Sequence, residues 1–482
     1  MNAMALQRIL LFLTLTFVGL WPALWAGGPL IFKDSAGYYR TGGLALEMLE
    51  NKVFSPQNQS AAPQQTFAAG EEKDTPSALG LRSLPFSVFT NVTMRTIGEY
   101  GTILILSALS SGLILMFVAG LPMRAQIPIG VGTVALTLMP FYASQLMPDI
   151  LASSLILSAM ILTLRPDVGK GIVLFLLGVI FFSIVSHYAH IPLALAVCVV
   201  LFVTFWRRGM RWKALIMLTP FVLALAVNMG ISVLVQITAP EYLKLSDASH
   251  TTDERPAISI APARVPILLA RSLSDGAALK YLQDVCPDPR FTMCEVYDEF
   301  PSNVGAALWG KNSIKKRATP EQMWRISNEE IPLLWAAFKA YPMQQTQALL
   351  GNAWRQFYLI GYPLVDTART SVSTSIALEI DEFEGFDTGD QRALELVQLF
   401  SVLFALLAIA ANYRVMPGPM RSVVWLLLLS LTVNAIVCGG LSAPVDRYQG
   451  RIIWCVVLLG FTAAAIRPAL GLRGQDVAQL RK

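Results

Sequence analysis

The run GTILILSALSSGLILMFVAG, residues 101–120, contains no charged side chain. A helix needs about 20 apolar residues to cross the hydrocarbon core of a bilayer, so this run predicts a membrane-spanning helix. The whole chain has the same character, since its 482 residues are 54% hydrophobic and 14% charged, whereas soluble domains carry about 25% charged residues. The apolar runs are continuous and do not alternate with polar residues, which favours helices over spanning strands. The sequence therefore predicts an all-α polytopic membrane protein.

Apolar runs of this kind predict about ten transmembrane helices. They cover residues 8–29, 99–121, 127–145, 150–164, 171–187, 190–206, 213–237, 393–412, 421–441 and 452–467. The runs divide the chain into three parts. An N-terminal transmembrane module, 1–237, includes a first outer loop at 31–98. An outer segment, 238–392, follows, and residues 393–482 form C-terminal transmembrane helices with a basic tail.

The distribution of Lys and Arg predicts which side of the membrane each loop faces, because basic residues accumulate in cytoplasmic loops. With the N-terminus inside, the acidic residues of the cytoplasmic segments are Asp167 and Asp476 alone. The basic residues of these segments are Arg8, Arg124, Arg165, Lys170, Arg207, Arg208, Arg211, Lys213, Arg414, Arg421, Arg467, Arg473, Arg481 and Lys482. Both termini are therefore predicted to be cytoplasmic.

The outer segment contains amphipathic stretches and two cysteines. The stretch IPLLWAAFKAYPMQQTQALLGNAWRQFYLIGYP, residues 331–363, mixes apolar and polar residues and is interrupted by Pro342 and Pro363. This pattern predicts helices that lie on the membrane surface. Cys286 and Cys294 are eight residues apart in a compartment predicted to be oxidising, which predicts a disulfide; two free thiols are the alternative.

The stretch IFKDSAGYYRTGG, residues 31–43, follows the first span and is the strongest functional candidate. It places the carboxylate of Asp34 at the outer membrane surface, with Tyr38 one helical turn further on. Apolar residues at helical spacing predict an amphipathic helix from Asp34 to about Asn51. Asp34 has two interpretations: an N-cap of this helix, or a general base towards an acceptor hydroxyl or amine.

The other polar candidates fall on the same predicted side of the membrane. They are Arg82, Asp149, His187, His190, Arg447 and Arg451. The centres of the predicted spans carry no Asp, Glu, Lys or Arg, whereas ion-coupled transporters usually place ionisable groups at mid-membrane. This distribution disfavours a pump or symporter and favours chemistry at the outer surface.

Each of these candidates also has a structural alternative. Asp149 could share a cation or an acceptor with Asp34, or cap the span that begins near Ile150. Arg447 and Arg451, four residues apart in GGLSAPVDRYQGRIIW, could bind a phosphate through their guanidinium groups or anchor the last span to lipid headgroups.

The two histidines form a pair whose ligand the sequence leaves open. His187 and His190, in SHYAHIP, could bind a phosphate or a metal ion. The metal signal is weak, because the third histidine of the chain, His250, lies in a loop of the outer segment.

These motifs resemble those of the GT-C type membrane glycosyltransferases, which are polytopic and use polyprenyl-phosphate-linked sugars on the outer face. Members place an acidic residue just after the first span, often in a D-S-x-x-Y pattern, and residues 34–38 read DSAGY. An Arg followed by Pro and an aromatic residue, here Arg82, Pro85 and Phe86, often leads into the next span. Asp149 lies where a second acid is common. The resemblance covers the layout of roughly residues 1–200.

The resemblance implies an inverting transfer of a hexose or pentose to a lipid or glycan acceptor on the periplasmic face of a bacterial inner membrane. Asp34 and Asp149 would be the catalytic acids. The residues expected to bind substrate are Tyr38, Tyr39, Arg82, His187, His190, Arg447 and Arg451. The resemblance leaves metal dependence open, and a divalent cation, Mg²⁺ or Mn²⁺, would fall to the two acids. Membrane lipids are expected partners and nucleic acid is not.

Two other classes of function fit parts of the pattern. A translocase or polymerase of lipid-linked glycans should need basic groups inside a central cavity, whereas this sequence keeps its charges at the edges of the membrane. A non-catalytic envelope assembly protein would use the outer segment as a binding module. It would tolerate replacement of Asp34.

Overall fold

The structure, a computed structural model, describes residues 3–32, 34–54, 82–238, 266–286, 290–363, 368–382 and 386–469. Helices dominate it. Those of the N-terminal part are α1 (Ala3–Val18), α2 (Trp21–Ala26), α3 (Ser35–Phe54), α4 (Leu84–Ile97), α5 (Gly101–Val118), α6 (Met123–Ala135), α7 (Met139–Ala143), α8 (Ile150–Leu164), α9 (Lys170–Ser186), α10 (His190–Arg207), α11 (Arg211–Ile216) and α12 (Thr219–Thr238).

The helices of the outer segment and of the C-terminal part complete the fold. They are α13 (Ile267–Ser274), α14 (Ala277–Val285), α15 (Thr292–Val296), α16 (Val304–Leu308), α17 (Ile314–Arg317), α18 (Pro320–Ala340), α19 (Pro342–Tyr358), α20 (Thr388–Asn412), α21 (Gly418–Asn434), a π-helix (Ala435–Gly440) and α22 (Arg447–Ala469).

Within the described residues, six helices are long and apolar enough to cross a membrane, so the chain is a multi-pass membrane protein. They are Gly101–Val118, His190–Arg207, Arg211–Val235, Thr388–Asn412, Gly418–Gly440 and Arg447–Ile466. The predicted spans at 150–164 and 171–187 correspond to the shorter apolar helices α8 and α9, and α1 is also short.

Three of the ten predicted spans are not single helices. The run at 8–29 is divided into α1 and α2, the run at 127–145 into α6 and α7, and the run at 213–237 into α11 and α12. Proline lies at or next to the first position of both α2 and α7, where its missing N–H costs no hydrogen bond. The hydropathy of these runs is continuous, but the helix within each run is interrupted.

Helix α8 lies at the centre of the membrane part. Every residue of α8 except Leu164 is buried, and α8 packs against α5, α9, α10, α21 and α22. A helix that is apolar on all sides is expected in such a position. The first residues of α8 and α22 lie at the same end of the molecule, because Asp149 forms an ion pair with Arg451.

A small sheet that was not predicted accompanies the helices, which still dominate the fold as expected for an all-α membrane protein. Strands β1 (Leu30–Ile31), β2 (Ala368–Val372) and β3 (Leu378–Glu382) form an antiparallel sheet in the order β1-β2-β3. Leu30 pairs with Arg369, and Thr370 pairs with Ile380. The sheet ties residues that follow the first apolar run to residues that precede α20.

The turn between β2 and β3 holds α3 in place. Tyr39 donates its hydroxyl hydrogen to the Thr374 carbonyl oxygen at 3.0 Å, and the Asn91 side chain donates to the Ser375 carbonyl at 2.8 Å. A Cβ atom on Gly43 would lie 2.3 Å from the Ser375 carbonyl oxygen. Glycine is therefore required at the point where the turn crosses α3.

The outer segment has its own apolar core, which includes Leu269, Leu282, Met293 and Ile326. The predicted disulfide between Cys286 and Cys294 is confirmed. The predicted interruption at Pro342 is also confirmed, because α18 ends at Ala340 and α19 begins at Pro342. The first outer loop is predicted to be mobile at 58–78, and those residues lie outside the described ranges.

Helix α19 packs against the π-helix that continues α21. A Cβ atom on Gly439 would lie 2.4 Å from Gln356 Cβ, and one on Gly440 would lie 3.2 Å from the Leu349 carbonyl oxygen. The two adjacent glycines let α19 approach the backbone closely. The position of α19 is thereby fixed relative to the end of a membrane-spanning helix.

Candidate functional site

Asp34 lies at the start of α3, directly before its first residue. Its Oδ1 is 2.5 Å from Nη2 of Arg82, with side-chain exposures of 24% and 23%. Arg82 reaches it because α4, which begins two residues later, packs along α3. A Cβ atom on Gly42 would lie 2.1 Å from the Ser87 carbonyl oxygen, so this packing depends on glycine at position 42. The pair is accessible from outside the protein.

A second guanidinium faces the same carboxylate. Nη2 of Arg447 is 3.6 Å from Oδ2 of Asp34. The guanidinium of Arg447 lies over two aromatic rings, 4.3 Å from the centroid of Phe32 and 5.2 Å from that of Tyr448. Its Nη1 is buried without a hydrogen-bond partner among the described residues. Arg447 is therefore held by ring faces, and part of its donor capacity is unused.

Asp149 and Arg451 form a separate and more deeply buried ion pair. Nη1 of Arg451 is 3.0 Å from Oδ1 of Asp149, and their side chains are 0% and 2% exposed. Nη2 of Arg451 also donates to Oδ1 of Asn434 at 3.2 Å and lies 3.4 Å from Sγ of Cys438. Asp149 occupies the N-cap position of α8 without a side-chain capping bond. Its carboxylate therefore binds Arg451 and does not cap the helix.

The two C-terminal arginines lie on a helix and not in the link where the sequence placed them. The last span was predicted to begin at 452, whereas α22 begins at Arg447. Arg447 and Arg451 occupy its first two turns, with Tyr448 between them at 5.2 and 5.4 Å from the two guanidinium carbons. Residues four apart share one face of a helix, but the two arginines have different acidic partners.

The two histidines stack next to this cluster, with ring centroids 5.0 Å apart. Nδ1 of His187 accepts the N–H of Ala189 at 3.1 Å. Desolvation lowers the pKa of His187 well below its usual range. The pKa is lowered further by His190 and by the positive charges of Arg451, Arg447 and Arg82. His187 is therefore neutral at pH 7 and carries its proton on Nε2.

His190 has the opposite tautomer. Its Nδ1 lies 2.8 Å from the Ser183 carbonyl oxygen, which requires a proton on Nδ1. Its Nε2 is buried without a hydrogen-bond partner among the described residues. The pair thus presents one N–H donor and one lone pair, each fixed by a backbone group.

The adjacent tyrosines of the DSAGYY stretch occupy different environments. Tyr38 is buried, stacks edge-on against Phe86 at 5.2 Å and lies 5.6 Å from the guanidinium of Arg82. Burial raises the pKa of the Tyr38 hydroxyl above its usual range, so it stays protonated. Tyr39 points to the sheet and bonds to Thr374. The structure therefore brings Tyr38 to the site but places Tyr39 outside it.

The charges of the paired arginines and aspartates do not cancel. Three guanidinium groups, of Arg82, Arg447 and Arg451, face two carboxylates, of Asp34 and Asp149. Among these five side chains, three positive and two negative charges leave one positive charge. An uncompensated positive charge in a partly buried site attracts an anion.

A divalent cation fits these residues poorly. Each of the two carboxylates contacts a guanidinium group, at 2.5 Å for Asp34 and 3.0 Å for Asp149. No group of three or more His, Cys, Asp or Glu side chains that could hold a metal ion occurs in the described part of the chain. The geometry favours an anion over Mg²⁺ or Mn²⁺.

Three residues of the site were missed by the sequence analysis. Phe32 and Tyr448 flank the guanidinium of Arg447, and Asn434 accepts from Arg451. The signal for the two aromatic residues was their place in the chain, two residues before Asp34 and one after Arg447. Asn434 ends an apolar helix that looks like an ordinary span, and it gave no such signal.

A separate cleft of about 590 Å³ lies in the outer segment and is lined by residues that include Leu279, Gln283, Tyr297 and Phe300. None of its lining residues belongs to the cluster around Asp34.

Comparison with known proteins returns no match: no family model, no curated protein and no solved structure resembles this chain. Its function is therefore inferred from its own residues and their geometry.

Proposed function

We propose that this protein is a membrane glycosyltransferase that moves a sugar from a polyprenyl-phosphate carrier to an acceptor on the outer face of a bacterial inner membrane. The observation that carries the proposal is the convergence of Arg82 and Arg447 on Asp34, in a site with one excess positive charge. A phosphate-binding pair of arginines beside a carboxylate supplies both a donor site and a base.

The proposed topology is GT-C-like with ten spans. Helices α8 and α9, of 15 and 17 residues, are short for a membrane span, yet spans of about 17 residues occur. Helices α1 and α2 together form the first span, and α6 and α7 together form the third. Both termini are cytoplasmic in this arrangement, and Asp34, Arg82 and Arg447 face the periplasm.

The donor phosphate binds between Arg82 and Arg447. Guanidinium groups bind phosphate oxygens through charge-assisted hydrogen bonds of about 2.7–2.9 Å, and the ion pair of Arg447 with Asp34 is longer, at 3.6 Å. The phosphate therefore competes successfully for Arg447. Nε2–H of His187 is a further donor, and because His187 is neutral it contributes no additional charge.

Binding of the phosphate releases Asp34 for catalysis. Asp34 then accepts the proton of the acceptor hydroxyl or amine, and the resulting nucleophile attacks the anomeric carbon of the sugar. The bond from the anomeric carbon to the phosphate oxygen breaks, and its electron pair stays on the carrier phosphate. Arg82 and Arg447 stabilise that developing charge. Attack opposite the leaving group inverts the configuration at the anomeric carbon.

Asp149 and Arg451 act as positioning residues in this proposal, because both are buried and bind each other. Their pair fixes the first turns of α22 on the first turn of α8, which places Arg447. The surface helices α18 and α19 lie along the membrane. Their exposed Trp335, Trp354 and Tyr358 are residue types that favour the membrane interface.

The proposal is tested by Asp34→Asn in a strain that lacks the chromosomal copy. The change removes the charge and basicity but little volume, so the variant is expected to insert and melt like the parent. Losing a positioned base costs about 10²–10⁴ in rate, so mass spectrometry of the outer-surface glycan is expected to show loss of the transferred sugar. Glu50→Gln, which neutralises an exposed acid on the same helix, is the matched control. Full modification with Asp34→Asn would refute the transferase mechanism.

A further inference from the structure

Gln356 on α19 makes a two-way hydrogen bond with one backbone residue near the site. Its Nε2 donates to the Val445 carbonyl oxygen at 2.8 Å, and its Oε1 accepts the Val445 N–H at 2.8 Å. The side chain is 0% exposed. A buried amide that satisfies both backbone groups of one residue fixes the orientation of that residue as well as its distance.

Val445 is two residues before Arg447. Residues 441–446 are not helical, and the Val445 carbonyl oxygen also accepts the N–H of Tyr448 at 3.1 Å. Gln356 therefore holds the carbonyl on which the first turn of α22 is built. The direction of that turn determines where Arg447 and the ring of Tyr448 beside it lie.

The other end of the same link is also fixed by α19. Gly439 packs against Cβ of Gln356 and the Asn352 carbonyl oxygen, and Leu441 donates its N–H to the Ile436 carbonyl at 3.0 Å. One face of α19 thus holds both the end of the π-helix and the start of α22. The apolar residues Leu350 and Trp354 of α19 are exposed.

We propose that Gln356 is a positioning residue for Arg447 and that it ties the anion site to the surface helix α19. This inference rests on the proposed function, in that Arg447 is taken to bind the donor phosphate. Without the amide, Val445 loses its attachment to α19, and Arg447 samples positions from which it no longer reaches a phosphate held by Arg82. The cost falls on anion affinity more than on the fold.

The experiment uses the full-length protein in detergent and two glutamine variants. Gln356→Leu removes both hydrogen bonds and keeps the volume. Gln398→Leu is the matched control, because Gln398 is also 0% exposed and bonds to two backbone groups, the Leu138 N–H and the Ile360 carbonyl. The two hydrogen bonds between Gln356 and Val445 form a clamp on the link. Hydrogen exchange of the peptide covering 441–450 reports on this clamp without a ligand. Calorimetric titration with farnesyl phosphate, and with farnesol as the uncharged probe, reports on the anion site.

Gln356→Leu is expected to speed exchange in 441–450 and to weaken farnesyl phosphate binding about tenfold. Gln398→Leu is expected to lower the melting temperature about as much as Gln356→Leu does. It should leave both the exchange of 441–450 and the farnesyl phosphate affinity unchanged. Combined with Arg447→Ala, Gln356→Leu should weaken binding no further, because the two changes act on one contact.

Three results would overturn the inference. Unchanged exchange in Gln356→Leu would show that the clamp does not hold the link. Faster exchange with unchanged affinity would show that the link does not position Arg447. A parent protein that binds farnesyl phosphate no better than farnesol would refute the proposed function, and the positioning role with it, while the exchange result would still report on the clamp itself.

Discussion

Two aspartate–arginine pairs of similar composition lie in one site and differ in burial. The Asp34–Arg82 pair is about one quarter exposed, and a second arginine, Arg447, faces its carboxylate. The Asp149–Arg451 pair is 2% and 0% exposed and is completed by Asn434 and Cys438. A ligand can reach the first pair, whereas the second is part of the protein interior. Burial, and not residue type, separates a candidate binding group from a structural one here.

The same difference changes what each pair contributes to stability. An exposed ion pair is worth about 0–1 kcal/mol, because water screens it. A buried pair contributes through the cost of leaving one charge alone, about 3–5 kcal/mol when one partner is removed. The Asp34–Arg82 pair, the outer pair, is therefore free to exchange partners with a ligand. The Asp149–Arg451 pair, the inner pair, is not.

The largest expected effect follows removal of one member of the inner pair. Arg451→Met leaves the carboxylate of Asp149 buried without its cation, and we expect the free energy of unfolding to fall by about 3–5 kcal/mol. Thermal or denaturant unfolding in detergent measures this change. The double variant Asp149→Leu with Arg451→Met should recover most of the loss, because it leaves no buried charge unpaired.

The outer pair supplies the control for that measurement. Arg82→Gln is expected to change the free energy of unfolding by about 1 kcal/mol or less. Equal losses for Arg451→Met and Arg82→Gln would remove the distinction between the two pairs.

A third pair, Arg271 with Asp275 in the outer segment, lies between these extremes, with a distance of 2.8 Å and side-chain exposures of 3% and 14%. Burial raises the pKa of Asp275 to about 6, against the lowering effect of Arg271. The folded state therefore holds this proton more tightly than the unfolded state. Its contribution to stability is full below pH 4 and is lost as the pH rises through about 6.

The expected size of this pH effect is at most about 3 kcal/mol, at 1.36 kcal/mol for each pH unit between the two pKa values. Unfolding of the outer segment between pH 4 and 7, followed by near-ultraviolet circular dichroism, measures it. Asp275→Asn should flatten the profile in this range. A profile that the substitution leaves unchanged would show that another group titrates.

Removal of Arg447, the second arginine that faces Asp34, is expected to change ligand affinity and leave stability nearly unaltered. Arg447→Gln removes charge-assisted hydrogen bonds worth about 1.5–3 kcal/mol, so farnesyl phosphate should bind roughly 10–100-fold more weakly. Farnesol, which has no phosphate, serves as the control ligand and should be unaffected. A loss of affinity for both ligands would contradict a phosphate-specific role for Arg447.

The sequence predicted that the residues of the site share one side of the membrane, because Lys and Arg mark the cytoplasmic loops. Asp34, Arg82 and Arg447 were grouped on the outer side for this reason, and the structure brings them together. Arg82 is 48 residues from Asp34 along the chain. Topology alone was sufficient to propose their proximity.

Partner choice within that group could not be predicted. Arg451 lies 302 residues from Asp149, and only the packing of α22 on α8 decides that it pairs with Asp149 while Arg447 faces Asp34. Strands β2 and β3 are five residues each, and neither was predicted, although residues 378–381 of β3 alternate apolar and acidic side chains. Gln356 was missed because a single polar residue on an amphipathic helix does not show what it contacts.

The proposed function requires that Arg82 and Arg447 bind the phosphate of a prenyl carrier beside Asp34. Cryo-electron microscopy of the protein with saturating farnesyl phosphate can show this binding. We expect phosphate density within about 3 Å of both guanidinium groups, separation of Arg447 from Asp34 beyond the 3.6 Å of the free protein, and an unchanged Asp149–Arg451 pair. Phosphate density elsewhere, or a site in which Arg82 and Arg447 still face Asp34 without a phosphate, would contradict it.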